Sequence, residues 1–230
     1  MQEKKTWFLK NSKILKGIST DQWALLEESS ELSAWRRNAV LWDPDVGREK
    51  MFWIRNGIVK VSQLTRSAGP VTVRFSGKDE MVGEISLFPE VPRTTRGLVF
   101  TDSVILSVPR DVVTQLISEN ALVAQRLTAL IARRRYRYEQ WVSTMLSMTV
   151  HSRLAALFLL LSEQFGVRDS RGIILDIKLT HKELASIVGM TRETVSFAIL
   201  DMRKSGFILS DAKRVVIIDQ PGLKAVAERE

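Results

Sequence analysis

The residues best equipped for recognition chemistry are Thr191-Arg192-Glu193-Thr194, with Ser196 and Phe197 close behind. An Arg and a Glu side by side offer a forked donor and a two-oxygen acceptor. In the major groove of DNA, Arg fits guanine O6 and N7, and Glu accepts from the amino group of cytosine. Such a pair reads bases only when a rigid element carries it into the groove. The flanking sequence supplies one. Thr180 and Glu183 stand at the spacing of a capping box, so a helix begins there. Gly189 marks a tight turn, and Thr191 with Thr194 opens a second helix. The apolar set Leu184, Ile187, Val188, Met190, Val195, Ile199 and Leu200 is expected to face inward and lock the two helices together. This is a helix-turn-helix pattern, in which the start of the second helix meets the base edges.

Other groups fall where a DNA backbone would run. Thr180, His181 and Lys182 begin the first helix, and Thr191 and Thr194 begin the second. Helix N-termini present N–H groups to phosphates. Beyond Gly206, FILSDAKRVVIID reads as a hairpin, a wing with Lys213 and Arg214 at its tip. Bulk charge adds little. Residues 147–230 hold 12 Lys and Arg against 10 Asp and Glu, whereas the whole chain stands at +8. Recognition therefore rests on the placement of Lys182, Arg192, Lys213 and Arg214.

The remaining sequence must build a platform for this head. From Val40 to Leu106 the chain falls into short β-branched and aromatic pieces (MFWI, GIVKVSQL, VTVRF, LVFTDSVILSV) punctuated by glycine. That pattern predicts a β-sandwich or barrel-like roll. A helix is expected over Asp21–Leu32, capped by Ser19-Thr20. Residues 111–148 contain neither Pro nor Gly, and Asp111 favours a helix start. Within them Leu127, Ile131, Arg134, Tyr138, Trp141, Met145 and Met148 recur at alternating spacings of four and three. This is a heptad seam, suited to a dimer helix or to packing against the chain's own roll. The Arg and Tyr at mid-seam suit a place that needs a polar group. The predicted class is α+β, divided into an N-terminal roll with its leading helix (1–110), a long dimerisation helix (111–148) and a winged helix-turn-helix (149–230).

Composition narrows the function classes. There is no cysteine, so disulfides, thiolate zinc sites, iron–sulfur clusters and Cys nucleophiles are excluded. The only histidines, His151 and His181, lie in the C-terminal part, which makes haem unexpected in the roll. No apolar run approaches the ~20 residues of a membrane helix. MQEKKTWFLK has no signal-peptide core, and a soluble, cytoplasmic chain is expected. No nucleophile elbow, zinc-protease motif or P-loop is present, so an enzyme is not expected, and no metal site is assigned.

VGMTRETVS with the preceding LTHKELASI resembles the DNA-binding domain of the Crp/Fnr family of transcription regulators. Gly83-Glu84-Ile85-Ser86-Leu87-Phe88, followed by Pro92-Arg93-Thr94, is similar to that family's phosphate-binding cassette, and the 111–148 helix takes the place of its dimerisation helix. The resemblance implies a cyclic-nucleotide-binding-like jelly roll, a homodimer, a palindromic duplex operator, activation by contact with RNA polymerase, and a small-molecule or nucleotide effector held by Gly83, Glu84, Ile85, Arg93, Thr94, Arg134 and Tyr138. Glu84 matches the ribose-binding carboxylate. Arg93 and Thr94 match the phosphate-binding pair with a loop one residue shorter than in the enterobacterial cAMP receptor; without that shift Thr94 and Thr95 occupy the pair. Two departures are specific. Phe197 stands where the family has an Arg, so it packs either on a thymine methyl or beneath the hairpin. Tyr138-Glu139 replaces the Thr-Ser pair that reads adenine, and a Glu suits that contact poorly, so the expected effector is not cAMP, or none is needed. The competing reading is a cyclic-nucleotide-binding signalling module whose helix-turn-helix serves protein contacts.

Overall fold

The computed structural model describes residues 5–47, 49–66, 69–211 and 214–228. The chain forms two compact units, Met1–Arg135 and Tyr136–Glu230. Among the described residues no helix is long and apolar enough to cross a membrane.

The first unit opens with a 3-10 turn at Trp7–Asn11 and helix α1 (Thr20–Ser29). Ser19 caps α1 and Gln22 completes a capping box. The predicted helix overran here, because Glu31–Trp35 is already strand β1. Strands β2 (Val40–Trp42), β3 (Lys50–Asn56), β4 (Val59–Thr65), β5 (Gly69–Ser76), β6 (Met81–Val82), β7 (Thr95–Val99) and β8 (Ser103–Pro109) complete an antiparallel roll. One sheet runs β1-β8-β3-β6 and the other β2-β7-β4-β5.

The unbroken apolar run of β3 has a direct cause: both its faces are covered. Phe52 and Ile54 point between the sheets, with Leu41, Trp42, Val61, Val82 and Ile105. Met51 and Trp53 point to the opposite face, into a second core closed by Leu26, Leu116, Val123 and Leu127. Gly97 on β7 has no room for a side chain, since a Cβ there would lie 2.2 Å from the Trp42 ring. Gly97→Ala is therefore expected to destabilise the roll by about 1–3 kcal/mol through overpacking. Thermal unfolding followed by tryptophan emission checks this, and an unchanged midpoint contradicts it.

The helix expected over 111–148 is interrupted. Helix α2 (Arg110–Glu119) ends at Asn120, which adopts an extended backbone, and α3 (Ala121–Ser147) begins immediately after. The Asn120 carboxamide oxygen accepts hydrogen bonds from the Leu122 and Val123 N–H groups, capping the new helix. Only α3 has the length expected of a dimer helix.

The second unit takes the C-terminal end of α3 and continues with α4 (Val150–Phe165), capped by Thr149. Strands β9 (Gly166–Asp169) and β10 (Gly172–Leu175) follow. The two pair antiparallel as a hairpin, Gly166 opposite Leu175 and Asp169 opposite Gly172. Helices α5 (His181–Val188) and α6 (Arg192–Lys204) come next, then β11 (Ile208–Asp211), β12 (Arg214–Ile217) and α7 (Gln220–Ala227). The four strands form one antiparallel sheet in the order β11-β12-β10-β9.

Candidate functional site

Two constellations stand out, one in each unit. In the second, local capping fixes the helix pair. The Thr180 hydroxyl accepts from the Glu183 N–H, and the Glu183 carboxylate accepts from the Thr180 N–H at 2.8 Å. Gly189 closes α5 with φ +66, a left-handed turn that a β-carbon would strain. The Thr191 hydroxyl accepts from the Thr194 N–H and sets the start of α6. His181 Nδ1 meets the Ser196 hydroxyl at 2.7 Å, tying the first residue of α5 to the middle of α6. Ser196 also donates to the Arg192 carbonyl at 2.8 Å.

Val195, Ala198, Ile199 and Met202 bury the inner face of α6. The outer face carries Arg192, Glu193, Phe197, Leu200, Arg203 and Lys204, all exposed, with Ser196 half-buried among them. These positions recur every three or four residues and make one stripe. Phe197 is 70% exposed, which removes the alternative that it packs beneath the hairpin. Leu200 was expected inside and instead lies 43% exposed, because the inward stripe runs through Val195, Ile199 and Met202 and leaves Leu200 at its margin. Lys182 is exposed on α5. Of the wing-tip pair, Lys213 lies outside the described residues. Arg214 pairs with Asp176 at 3.0 Å, both side chains remaining partly open to solvent.

In the first unit the cassette folds as a short 3-10 turn, Glu84–Leu87, entered through Gly83 at φ +87. The Glu84 carboxylate receives a two-pronged ion pair from Arg74 at 3.1 and 3.2 Å, and a second from Arg134 of α3 at 2.8 Å. Arg134 also donates to the Met81 carbonyl. All three side chains are largely enclosed. Burial alone would raise the Glu84 pKa, but the guanidiniums of Arg74 and Arg134 outweigh it and hold the carboxyl at about 2. For Arg134, burial and the neighbouring Arg74 lower the pKa, opposed by Glu84. Arg134 thus has the polar partner its mid-seam position called for. Arg74 was missed from the sequence, since nothing in VTVRF marks it as Glu84's partner.

A cavity of about 160 Å³ lies beside this triad. Gly83, Glu84, Ile85, Arg93 and Thr94 line it, together with Trp42, Arg74 and Thr95. Arg93 is buried, donates to the Gly47 carbonyl at 2.8 Å and stacks over Trp42. Thr94 donates to the Gln63 side chain at 3.3 Å. Tyr138 falls in the second unit and is exposed. The volume falls below the ~300 Å³ at which small-molecule sites begin. The carboxylate matched to a ribose hydroxyl is already engaged by two guanidiniums. As arranged, these residues do not fit a cyclic nucleotide.

The predicted seam divides along α3. Leu127 is only 5% exposed and belongs to the roll's own core, with Ile131 packed partly against it, so Leu127 leaves the expected dimer face. Further along, Trp141 and Met145 are half-buried, Tyr138 and Val142 exposed, and Leu146 82% exposed.

Comparison with known proteins agrees with both halves. Residues 33–120 match the cyclic nucleotide-binding domain family, and residues 152–226 match the Crp-like helix-turn-helix domain. The anaerobic regulatory protein of Bacillus subtilis is 27% identical over 213 residues, covering 87% of this chain and 85% of that protein. The CRP-like cAMP-activated global transcriptional regulator of Mycobacterium tuberculosis is 26% identical over 210 residues, covering 91% and 94%. The solved structure of a Crp/Fnr-family transcriptional regulator from Thermus thermophilus superposes with a TM-score of 0.69 at 25% identity, covering 86% and 99%. The last two of these are named as transcriptional regulators and the first as a regulatory protein. With a cyclic-nucleotide-binding-type roll, a long helix and a Crp-like helix-turn-helix in that order, the chain belongs to the Crp/Fnr family of DNA-binding transcription regulators.

Proposed function

We propose that the protein acts as a homodimer on a palindromic operator, reading each half-site with α6. The single observation that carries this reading is the outward stripe of α6. Arg192 meets guanine, Glu193 accepts from cytosine, and Thr180, His181, Lys182, Thr191 and Thr194 hold phosphates at the two helix starts. Arg203 and Lys204, which the sequence reading passed over, are exposed at the far end of the same stripe and add phosphate contacts. Ser196 serves as the brace to His181. The two-fold arrangement sets half-sites ~34 Å apart.

The dimer face is the distal part of α3: Tyr138, Trp141, Val142, Met145 and Leu146. A Trp at a heptad position supplies a large apolar contact. Trp141→Glu is expected to give monomers in sedimentation with helix content unchanged; a persisting dimer refutes the assignment.

The roll's effector is not a cyclic nucleotide. The engagement of Glu84 by two guanidiniums and the small cavity support a regulator that binds its operator without one. Any molecule that does bind the roll changes DNA affinity only through unequal affinity for two states of the protein. Contact with RNA polymerase rests on the family resemblance alone. Selection from a random duplex pool, without added small molecules, tests the proposal. An enriched inverted repeat is expected. Absence of enrichment, or enrichment only with a cyclic nucleotide present, overturns it.

A further inference from the structure

The α6 stripe contains more than hydrogen-bonding groups. Phe197 lies four residues beyond Glu193, and Leu200 three beyond Phe197, so all three share one face. Both apolar side chains are exposed, although the same helix buries Val195, Ala198, Ile199 and Met202 completely. This exposed Phe–Leu pair lies between a base-reading Arg-Glu and a basic Arg203-Lys204 end, with most of Phe197 and nearly half of Leu200 open to solvent. It is continuous with the face that carries the recognition residues. In the major groove the apolar feature is the C5-methyl of thymine, and Phe is a suitable contact for it.

From the DNA-reading role of α6 proposed above, and from this stripe, we infer that Phe197, flanked by Leu200, reads a pyrimidine C5-methyl group in each half-site. Four residues of helix advance ~6 Å, and bases along a strand are ~3.4 Å apart, so this methyl lies about two base pairs from the pair read by Glu193. The same chemistry extends to 5-methylcytosine, whose C5-methyl occupies the same place in the groove. Binding then depends on the methylation of a cytosine placed there.

The test uses the full-length protein and the operator recovered by selection. Each thymine is replaced in turn by deoxyuridine, which removes only the methyl, and affinity is measured by fluorescence anisotropy. One symmetry-related pair of positions is expected to lose about fourfold per half-site, the value of one buried methyl group. At that position 5-methylcytosine opposite guanine should bind more tightly than cytosine opposite guanine by a similar factor. Phe197→Ala should bind thymine and deoxyuridine operators equally, and Phe197→Leu should keep part of the preference. Since residue 197 is exposed and helical, alanine there leaves the fold intact. A thymine-to-uridine ratio unchanged by Phe197→Ala overturns the inference, as does an operator with no methyl-sensitive position. A change in oligomeric state caused by Phe197→Ala would assign the patch to a second copy instead and also overturns it. Sequence-selective but methyl-insensitive binding sinks this inference alone. Failure to select any operator sinks the DNA-reading proposal beneath it.

Discussion

Arg192→Ala is expected to weaken binding to the selected operator by about 1–3 kcal/mol, or about 5- to 150-fold, and to relax selectivity at one base pair per half-site. On the proposed reading, the magnitude is that of one lost bidentate contact to guanine. The side chain is exposed in the free protein, so its removal costs the fold little, and the measured loss reports on DNA. Lys182→Ala should behave differently. A phosphate contact contributes equally on all sequences, so that variant should lower specific and nonspecific affinity together and reduce the salt dependence. Mobility shifts on the operator and on scrambled duplex separate the two. Equal losses for Arg192→Ala on both duplexes contradict its base-reading role.

The second large effect is expected in the roll. Glu84→Gln leaves Arg74 and Arg134 enclosed together without their shared counter-charge. Removing one member of a buried ion network costs about 3–5 kcal/mol. The pH dependence is specific. The Glu84 pKa falls from an ordinary 4.5 to about 2 in the folded chain, so the folded state prefers the ionised form. That preference contributes about 3 kcal/mol of stability above pH ~4.5, lost progressively as pH falls toward 2. The difference in melting temperature between wild type and Glu84→Gln should therefore be largest near neutrality and shrink below pH 4.5. A gap that stays constant down to pH 3 contradicts the network.

The helix-turn-helix was legible because its determinants are local. Thr180 and Glu183, Thr191 and Thr194, and Gly189 each act within a few residues, and the structure uses every one of them. The strand MFWI was legible as β but not as doubly covered, since its second face is closed by residues from Leu9 to Leu127. The ion triad was only partly visible. Arg134 was out of place on an apolar seam, whereas its partner Glu84 lies 50 residues away and Arg74 a further ten. No spacing rule connects them. Asn120 interrupts the long helix through a carboxamide cap that helical periodicity does not register. Leu200 was misplaced because it neighbours Ile199 at the margin of the apolar stripe, where one residue turns the side chain outward by about 100°.

The central claim is that α6 lies in the major groove, twice per operator. Methylation of guanine N7 blocks that groove edge and leaves the minor groove untouched, so N7-methylation interference on the selected operator is the most direct measurement. Two clusters of interfering guanines, one helical turn apart and lost in Arg192→Ala, are predicted. A single cluster, or binding indifferent to N7 methylation, would contradict the account.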